Sequence, residues 1–391
     1  MIIADGVARS LYELPKDRAH PGKFSLLDSS YDNSGNAIHA EVPFSLWDTG
    51  KGEVIDARQM RVRTGADLER AIRFANENAS HYVLSAANFL LFEDMSDQRR
   101  QAYEEMQKSL EKLTIPLVVL GIGVQAPRRW NPIDHKLPKE AVQLMSFLGH
   151  KCELISVRGE FTASVFRDYA GVRNTIVTGC PSFFQNPRAF SNLREFLASK
   201  RKGNVSYNMT NYRKPAEQEL MARAIHSDNF WIGVTKDELY RFFLESNQNF
   251  ELASVPESLR FLFDQMKHPI TRDHLAKYYT RRYRHYSDAH SWNEFNKEQI
   301  RFSYGTRFHA NMSVLNSGKP ALWIVHDSRT QEMVDALNLP HVTLTEAVEN
   351  DLNDLEESLN YEELFDGLVE KYQIFNRFLK VNDLPMVDFT F

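Results

Sequence analysis

An arginine and a histidine two residues apart, Arg307 and His309, follow a predicted strand at the start of a predicted helix, in the segment IRFSYGTRFHAN. Thr306, Arg307 and Phe308 begin this helix, and the unpaired N–H groups of a first helical turn attract anions. Arg307 adds a planar fork that binds phosphate or carboxylate at two points. His309 follows closely enough to donate a proton to the same ligand. The alternative interpretation is a surface ion pair and a helix-capping histidine, about as common at such a junction.

A second arginine, Arg158, follows the predicted strand Glu153–Val157 and precedes a predicted helix that begins at Glu160. The carboxyl ends of parallel strands are where such sheets bind ligands. Two arginines at two strand ends therefore predict a ligand with more than one negative charge. An ion pair between Arg158 and Glu160 is the structural alternative for this residue taken alone.

A polar turn near the start of the chain, with the sequence DNSGN, contains Asn33, Gly35 and Asn36. Its backbone N–H groups could hold an anion, although turns of this composition are common as plain connections. The segment Gly121–Gly123 also ends a strand but lacks the third glycine of the dinucleotide fingerprint, so it supports a nicotinamide cofactor only weakly.

Short apolar runs alternate with amphipathic stretches along the chain, which predicts an α/β protein with mostly parallel sheets and helices on both faces. One series ends near residue 200 and a second begins with Asn204–Met209. We therefore predict two Rossmann-like domains, residues 1–200 and 201–391, facing a cleft. The acidic and aromatic stretch Glu349–Leu379 predicts closing helices that pack back on the N-terminal domain.

Composition narrows the class of protein further. The 391 residues carry a formal net charge of −5 with 42% hydrophobic residues, which argues against a nucleic-acid-coating surface. Arginines and aromatic residues mix in Tyr278–Trp292, which we interpret as helix and loop packing. Two cysteines allow no disulfide framework, and no metal-binding motif occurs, so we expect no metal. The sequence has no apolar signal core and no run of about 18 apolar residues, so we expect a cytoplasmic protein.

The order of these motifs resembles the polysaccharide pyruvyl transferase family. The matching pieces are NSGN at 33–36, ISVRGE at 155–160, GCPS at 179–182, YGTRFHAN at 304–311, GKP at 318–320 and VHDSR at 325–329. The resemblance covers about residues 30–335, and GTRFHA is its most specific part. Ser85–Asn88 departs from the family, which has a glycine-rich strand end there.

The resemblance implies a fold similar to GT-B glycosyltransferases and transfer of a pyruvyl group from phosphoenolpyruvate to a sugar, which leaves a pyruvate ketal. It assigns Arg158, Arg307 and His309 to the reaction. His309 would be the acid and Arg307 would stabilise charge. Thr306, Phe308, Arg329 and the Asn33–Asn36 turn would help to bind the donor.

The partners expected are phosphoenolpyruvate as donor substrate, no separate cofactor, and a sugar or lipid-linked oligosaccharide acceptor. Peripheral contact with the inner face of the membrane is part of this expectation. The leading alternative is a GT-B glycosyltransferase that uses a nucleotide sugar, because the same cleft and arginines would hold a diphosphate. A further alternative is an inactive binding protein with this fold. The presence of Arg158, Arg307 and His309 at strand ends argues against it.

Overall fold

All strand pairs within the described part of the chain are parallel, and the strands fall into two main sheets. The computed structural model describes residues 1–6, 33–57, 68–85, 87, 90–92, 96–125, 137–199, 202–235, 238–248, 255–264, 269–286, 288–357 and 359–390. The predicted α/β class with parallel sheets is confirmed.

The first sheet has four strands in the order β2–β1–β3–β5. Two short pairs, β4–β6 and β7–β8, accompany it, and a single bridge between Ile122 and Val157 links the second pair to the end of β5. The strands are β1 Ile2–Gly6, β2 Val54–Asp56, β3 His81–Ser85, β4 Leu90–Leu91, β5 Leu117–Val119, β6 Val124–Gln125, β7 Ile155–Val157 and β8 Thr175–Val177.

Helices alternate with these strands along the first half of the chain, and each buries apolar residues. They are α1 Gly35–Ala40, α2 Val42–Trp47, α3 Leu68–Asn78, α4 Asp97–Leu110, α5 Lys139–Lys151, α6 Glu160–Ala170 and α7 Arg188–Ala198, with a 3₁₀ helix at Pro181–Phe184. The apolar run of β1 was not predicted, although β1 pairs with two strands and lies inside the sheet.

The second sheet has six strands in the order β11–β10–β9–β12–β13–β14. They are β9 Asn204–Asn208, β10 Phe230–Gly233, β11 Tyr283–His285, β12 Ile300–Gly305, β13 Ala321–Val325 and β14 His341–Thr343. The helices are α8 Pro215–His226, α9 Glu238–Gln248, α10 Phe261–Asp264, α11 Arg272–Arg282, α12 Ala289–Gln299, α13 Phe308–Asn316, α14 Ser328–Leu337, α15 Leu344–Glu349, α16 Leu352–Glu357 and α17 Glu362–Val381, with a 3₁₀ helix at Glu257–Leu259.

Two differences from the expected elements lie in this second half. The segment Tyr278–Trp292 contributes a helix end, strand β11 and the start of α12, so a short strand lies where helix and loop were expected, and its tyrosines are core residues. The sequence also predicts a helix over Pro256–Met266, and the structure has a 3₁₀ turn followed by the short α10 in this segment. A weak strand that the sequence also predicts at Glu251–Ala253 lies outside the described residues.

The hydrophobic core joins the two halves of the chain. Helix α17 packs its aromatic face on the Pro181–Phe184 turn and α7, and the rings of Phe184 and Phe375 stack 4.0 Å apart. Trp47 Nε1 donates to the carbonyl of Pro385, and Asn382 Nδ2 donates to the carbonyl of Leu154. The domain boundary at residue 200 stays a prediction, because this core is continuous across it.

Candidate donor site at the strand ends

One cavity lies where the carboxyl ends of strands from both sheets meet. Its walls are Asn33, Gly35, Asn36, Ala87, Arg158, Val234, Arg307, Phe308, His309, Ala310, Arg329 and Met333. We call it the donor cavity, after the donor substrate that the sequence analysis expects these residues to bind. It brings together all the predicted site residues except Thr306. Two Rossmann-like sheets that face a shared cavity are the GT-B arrangement expected from the sequence.

Arg307 is oriented by backbone carbonyls at the end of the neighbouring strand β9. Its Nε donates to the carbonyl of Met209 at 2.8 Å and an Nη donates to the carbonyl of Thr210 at 3.3 Å. Its backbone N–H donates to Asn208 Oδ1 at 2.8 Å. Because three contacts fix the residue, its guanidinium direction at the cavity wall is set before any ligand arrives.

Gly305 allows the tight junction between β12 and α13. Its φ is 148°, and a Cβ there would lie 1.9 Å from the carbonyl oxygen of Asn208. Behind it, Asn311 Nδ2 donates to the carbonyls of Gly305 and Leu322. The buried amide therefore holds the turn that carries Arg307 and His309 against the sheet.

Thr306 is the predicted site residue that lies away from the donor cavity. Its hydroxyl lies 2.9 Å from a carboxylate oxygen of Glu217 and accepts from the backbone N–H of Thr210 at 2.7 Å. Adjacent residues in an extended turn point to opposite sides, so Arg307 reaches the cavity wall while Thr306 fastens the turn to α8.

Arg158 comes from the N-terminal half and is almost fully buried, with 1% exposure. Its Nε donates to the carbonyl of Gly121 at 3.0 Å, and its side chain packs over Gly123. Burial lowers the pKa of Arg158, and the charge of Arg329 lowers it further, although a guanidinium stays protonated at neutral pH. Arg158 and Arg329 therefore concentrate positive charge at the cavity, as binding of a polyanionic ligand requires.

The Asn33–Asn36 turn connects the two halves beside the cavity. Asn33 forms an antiparallel bridge with Thr235, and the Ser34 N–H donates to the carbonyl of Val234 at 2.7 Å. The side chain of Asn33 accepts from the Gly35 N–H at 3.0 Å. The turn thus docks on the end of β10 and leads into α1, rather than standing alone as a surface connection.

His309 faces the cavity from the first turn of α13. Its Nε2 lies 3.4 Å from Cys180 Sγ, and its ring meets the ring of His39 edge-on at 5.8 Å between centroids. Burial lowers the pKa of His309 well below its usual value, and Arg158 and Arg329 lower it further. The imidazole is therefore neutral at neutral pH in the ligand-free protein.

Arg329 reaches the donor cavity from the N-terminus of α14. One of its Nη atoms lies 3.4 Å from Asp327 Oδ2, while Asp327 caps the helix by accepting from the Thr330 N–H at 2.7 Å. The position four residues later, Met333, lines the same cavity. Arg329 therefore adds a third guanidinium to the wall of this cavity.

Three residues near the site had no predicted role: His39, Cys180 and Glu332. His39 is fully buried on α1, with Nδ1 3.0 Å from Ser85 Oγ, and burial lowers its pKa well below the usual value. Glu332 accepts from the N–H and hydroxyl of Thr162, and burial raises its pKa to about 7. Of these three residues, only Cys180 belongs to a segment that carried the family resemblance, namely GCPS at 179–182.

A neighbouring cavity opens between helices α6 and α14, lined by Glu160, Phe161, Val177, Asp327, Ser328, Gln331, Glu332, Asp335 and Ala336. We call it the α6–α14 cavity. Glu332 in its wall precedes Met333 of the donor cavity in the chain, but the lining of the α6–α14 cavity is acidic and partly apolar. The two cavities therefore differ in the charge of the ligand that each can hold.

Among the described residues, no cluster of three or more His, Cys, Asp or Glu side chains is arranged to hold a metal ion. No described helix combines the length and the apolar character that a membrane crossing requires.

The structure has two parallel sheets with an arginine-rich cavity at their strand ends. Comparison of the sequence with known families identifies the family to which the chain belongs. The family model for polysaccharide pyruvyl transferases matches residues 102–328, more than half of the chain. The chain therefore belongs to the polysaccharide pyruvyl transferase family. No curated protein matches the sequence significantly.

Solved structures with a related arrangement include Anabaena HepE in complex with UDP, at 10% identity and a TM-score of 0.42, covering 98% of this chain and 97% of that one. UDP-GlcNAc 2-epimerase of Neisseria meningitidis matches at 10% identity and 0.41, covering 98% and 94%. S. aureus MnaA with UDP matches at 12% identity and 0.42, covering 100% and 98%. Because all three TM-scores are below 0.5, these similarities say nothing about the function of this protein.

Proposed function

We propose that this protein transfers a pyruvyl group from phosphoenolpyruvate to hydroxyls of a sugar and forms a pyruvate ketal. The observation that carries the proposal is the convergence of Arg158, Arg307, Arg329 and His309 on one cavity. Phosphoenolpyruvate carries its phosphate ester and its carboxylate on the same carbon, C2. Three guanidinium groups from two halves of the chain complement that charge.

The chemistry needs an acid, charge stabilisation and an acceptor. Protonation of the methylene carbon C3 makes C2 electrophilic, and His309 is the titratable side chain at the cavity wall that can deliver this proton. Arg307 and Arg158 stabilise the charge that develops on the departing phosphate. A sugar hydroxyl attacks C2, phosphate leaves, and a second hydroxyl closes the ketal.

The acceptor fits the α6–α14 cavity better than the donor cavity. Its carboxylates, the Gln331 amide and the Ser328 hydroxyl can hydrogen-bond to sugar hydroxyls, and Phe161 offers an apolar ring. An acidic lining disfavours phosphoenolpyruvate but accepts a neutral sugar or an amino sugar.

The test is phosphate release from phosphoenolpyruvate by the purified protein with a panel of methyl glycosides, read also by mass for the added ketal. Thermal shifts with phosphoenolpyruvate, UDP-sugars and GDP-sugars run beside it. We expect stabilisation by phosphoenolpyruvate and a ketal product with at least one glycoside. Stabilisation by a nucleotide sugar alone, with glycosyl transfer in place of phosphate release, would identify a glycosyltransferase instead.

The His309→Gln variant separates a catalytic from a capping role. Glutamine keeps a hydrogen-bond donor of similar reach, so the fold and phosphoenolpyruvate affinity should persist while turnover falls by about 10²–10⁴-fold. A histidine that only stabilises the helix start predicts the reverse, namely a loss of about 1 kcal/mol in stability with normal turnover. His341→Gln, on the partly exposed β14, is the matched control.

A further inference from the structure

The two ring nitrogens of His309 have different surroundings. Nε2 lies 3.4 Å from Cys180 Sγ. Nδ1 is on the side of Gly35, where an added Cβ would lie 3.4 Å from the Cβ of His309 and 4.0 Å from Nδ1. Because Gly35 lines the donor cavity, Nδ1 adjoins a cavity wall that has no side chain. Nε2 therefore faces the thiol, and Nδ1 is the nitrogen available to a ligand.

Cys180 is fully buried at the start of the Pro181–Phe184 turn. Its sulfur lies 3.1 Å from Ser182 Oγ as well as 3.4 Å from the imidazole. It is also close enough to Arg158 for a charge on the sulfur to raise the pKa of that guanidinium, against the lowering by burial. The sulfur therefore has a hydroxyl and a guanidinium in its surroundings.

The neutral state of His309 creates a requirement for a proton source. Burial, Arg158 and Arg329 all lower the pKa of His309 and keep its imidazole neutral. Burial and Arg158 also lower the pKa of the nearby His39. A neutral imidazole can still give up its Nδ1 proton, provided that Nε2 gains one in the same step. The group in contact with Nε2 is the Cys180 thiol.

We propose that Cys180 is a positioning residue that supplies a proton through His309 during pyruvyl transfer. The proposal rests on the proposed function. The Nδ1–H bond breaks as the C3–H bond of phosphoenolpyruvate forms, while the Cys180 S–H bond breaks and an Nε2–H bond forms. The electron pair stays on sulfur, opposite Arg158. The two acceptor hydroxyls release two protons: one restores the Nδ1–H bond while the Nε2 proton returns to sulfur, and the other leaves on phosphate.

Nitrogen-15 NMR of the ligand-free protein tests the thiol–imidazole pair without any acceptor. At pH 8 we expect His309 as the Nδ1–H tautomer, because the thiol donates to Nε2. Cys180→Ala should give a mixture of tautomers. An Nε2–H tautomer in the parent protein would overturn the proposal.

Calorimetry of phosphoenolpyruvate binding at pH 8, in two buffers of different ionisation enthalpy, tests the source of the proton. The relay predicts no net proton uptake, because the proton is already stored on sulfur. Uptake of about one proton per phosphoenolpyruvate, abolished in His309→Gln, would show that solvent charges the imidazole and would contradict the relay.

Serine and alanine variants of Cys180 separate proton transfer from packing. Both should reduce phosphate release with the active methyl glycoside by about 10²-fold or more, with donor affinity unchanged within about threefold. Serine should not rescue alanine, because a hydroxyl is a far weaker acid than a thiol. A packing role predicts near-parent activity for Cys180→Ser. Cys152→Ser, at the other buried cysteine, is the control for a polar change in the core.

The pH profile adds a readout that packing would not change. Residual turnover in Cys180→Ala should rise as the pH falls, because solvent must then protonate the imidazole. The charged and titratable groups that face this imidazole are Arg158, Arg329 and His39, and Arg307 lies two residues before it in the chain. A parallel profile in parent and variant would contradict the relay. Absence of phosphate release in the parent protein would refute the proposed function, whereas an active parent with an active Cys180→Ser would refute the relay alone.

Discussion

The contacts of Arg307 explain why its chemistry depends on the guanidinium and not on charge alone. Two of its nitrogens are held by the carbonyls of Met209 and Thr210, and lysine cannot reproduce this planar arrangement. We expect Arg307→Lys to reduce phosphoenolpyruvate turnover by about 10- to 100-fold, which corresponds to about 1.5–3 kcal/mol. Arg281→Lys, at an exposed arginine paired with Asp228, should leave turnover unchanged. Near-parent turnover in Arg307→Lys would remove this residue from the donor site.

Glu332 makes a pH-dependent contribution to stability whose sign follows from its environment. Burial raises its pKa to about 7 from the unfolded value of 4.5, so the protonated form is favoured in the folded protein. The stabilising contribution is complete below about pH 4.5 and is lost as the pH rises through about 7. By linkage its size is about 3 kcal/mol.

Glu332→Gln removes this titration while an amide oxygen still accepts from Thr162. The free energy of unfolding of the variant, relative to the parent, should therefore increase by about 3 kcal/mol between pH 4.5 and pH 8. Urea unfolding at a series of pH values measures this difference. Glu362→Gln, at an exposed position, is the control, and a pH-independent difference for Glu332→Gln would contradict the assigned titration.

At the scale of elements, the junction between β12 and α13 is the tightest part of the site. Gly305→Ala would force a Cβ against the Asn208 carbonyl at a φ of 148°, so we expect a loss of about 3 kcal/mol or more in stability. Gly171→Ala is a matched control, since Gly171 also has a positive φ of 67° but open space around its Cα. It should lose only about 1 kcal/mol. Equal losses would show that backbone strain, and not the close approach, decides the effect.

The elements also show what sequence reasoning can reach. Alternating strands and helices are encoded locally, so Arg158, Arg307, His309 and Arg329 could be placed at strand ends from the sequence alone. The contact between Cys180 and His309 joins residues 129 positions apart, and no local pattern specifies it. His39 belongs to a short helix that follows a polar turn, and its burial depends on packing against α13. Thr306 was assigned to the site by adjacency, but side chains of successive residues diverge at the turn.

At the scale of the molecule, the donor cavity takes residues from both halves of the chain. Arg158 belongs to the first half, whereas Arg307 and Arg329 belong to the second. If one phosphoenolpyruvate contacts both Arg158 and Arg307, the loss of donor affinity in Arg158→Ala/Arg307→Lys should be smaller than the sum of the single losses. Arg158→Ala combined with Arg281→Lys should add. Full additivity in the first pair would divide the two arginines between different ligands.

Helix α17 is synthesised last but covers aromatic residues of the first half of the chain. Trp47 is bonded to a carbonyl 338 residues later in the chain, and the aromatic residues of the Pro181–Phe184 turn are covered by rings of α17. While a ribosome is still translating the second half, this aromatic surface of the first half has no cover. The nascent chain would therefore expose a hydrophobic aromatic surface until α17 has been synthesised. A chaperone that binds exposed aromatic residues on nascent chains could act during this period.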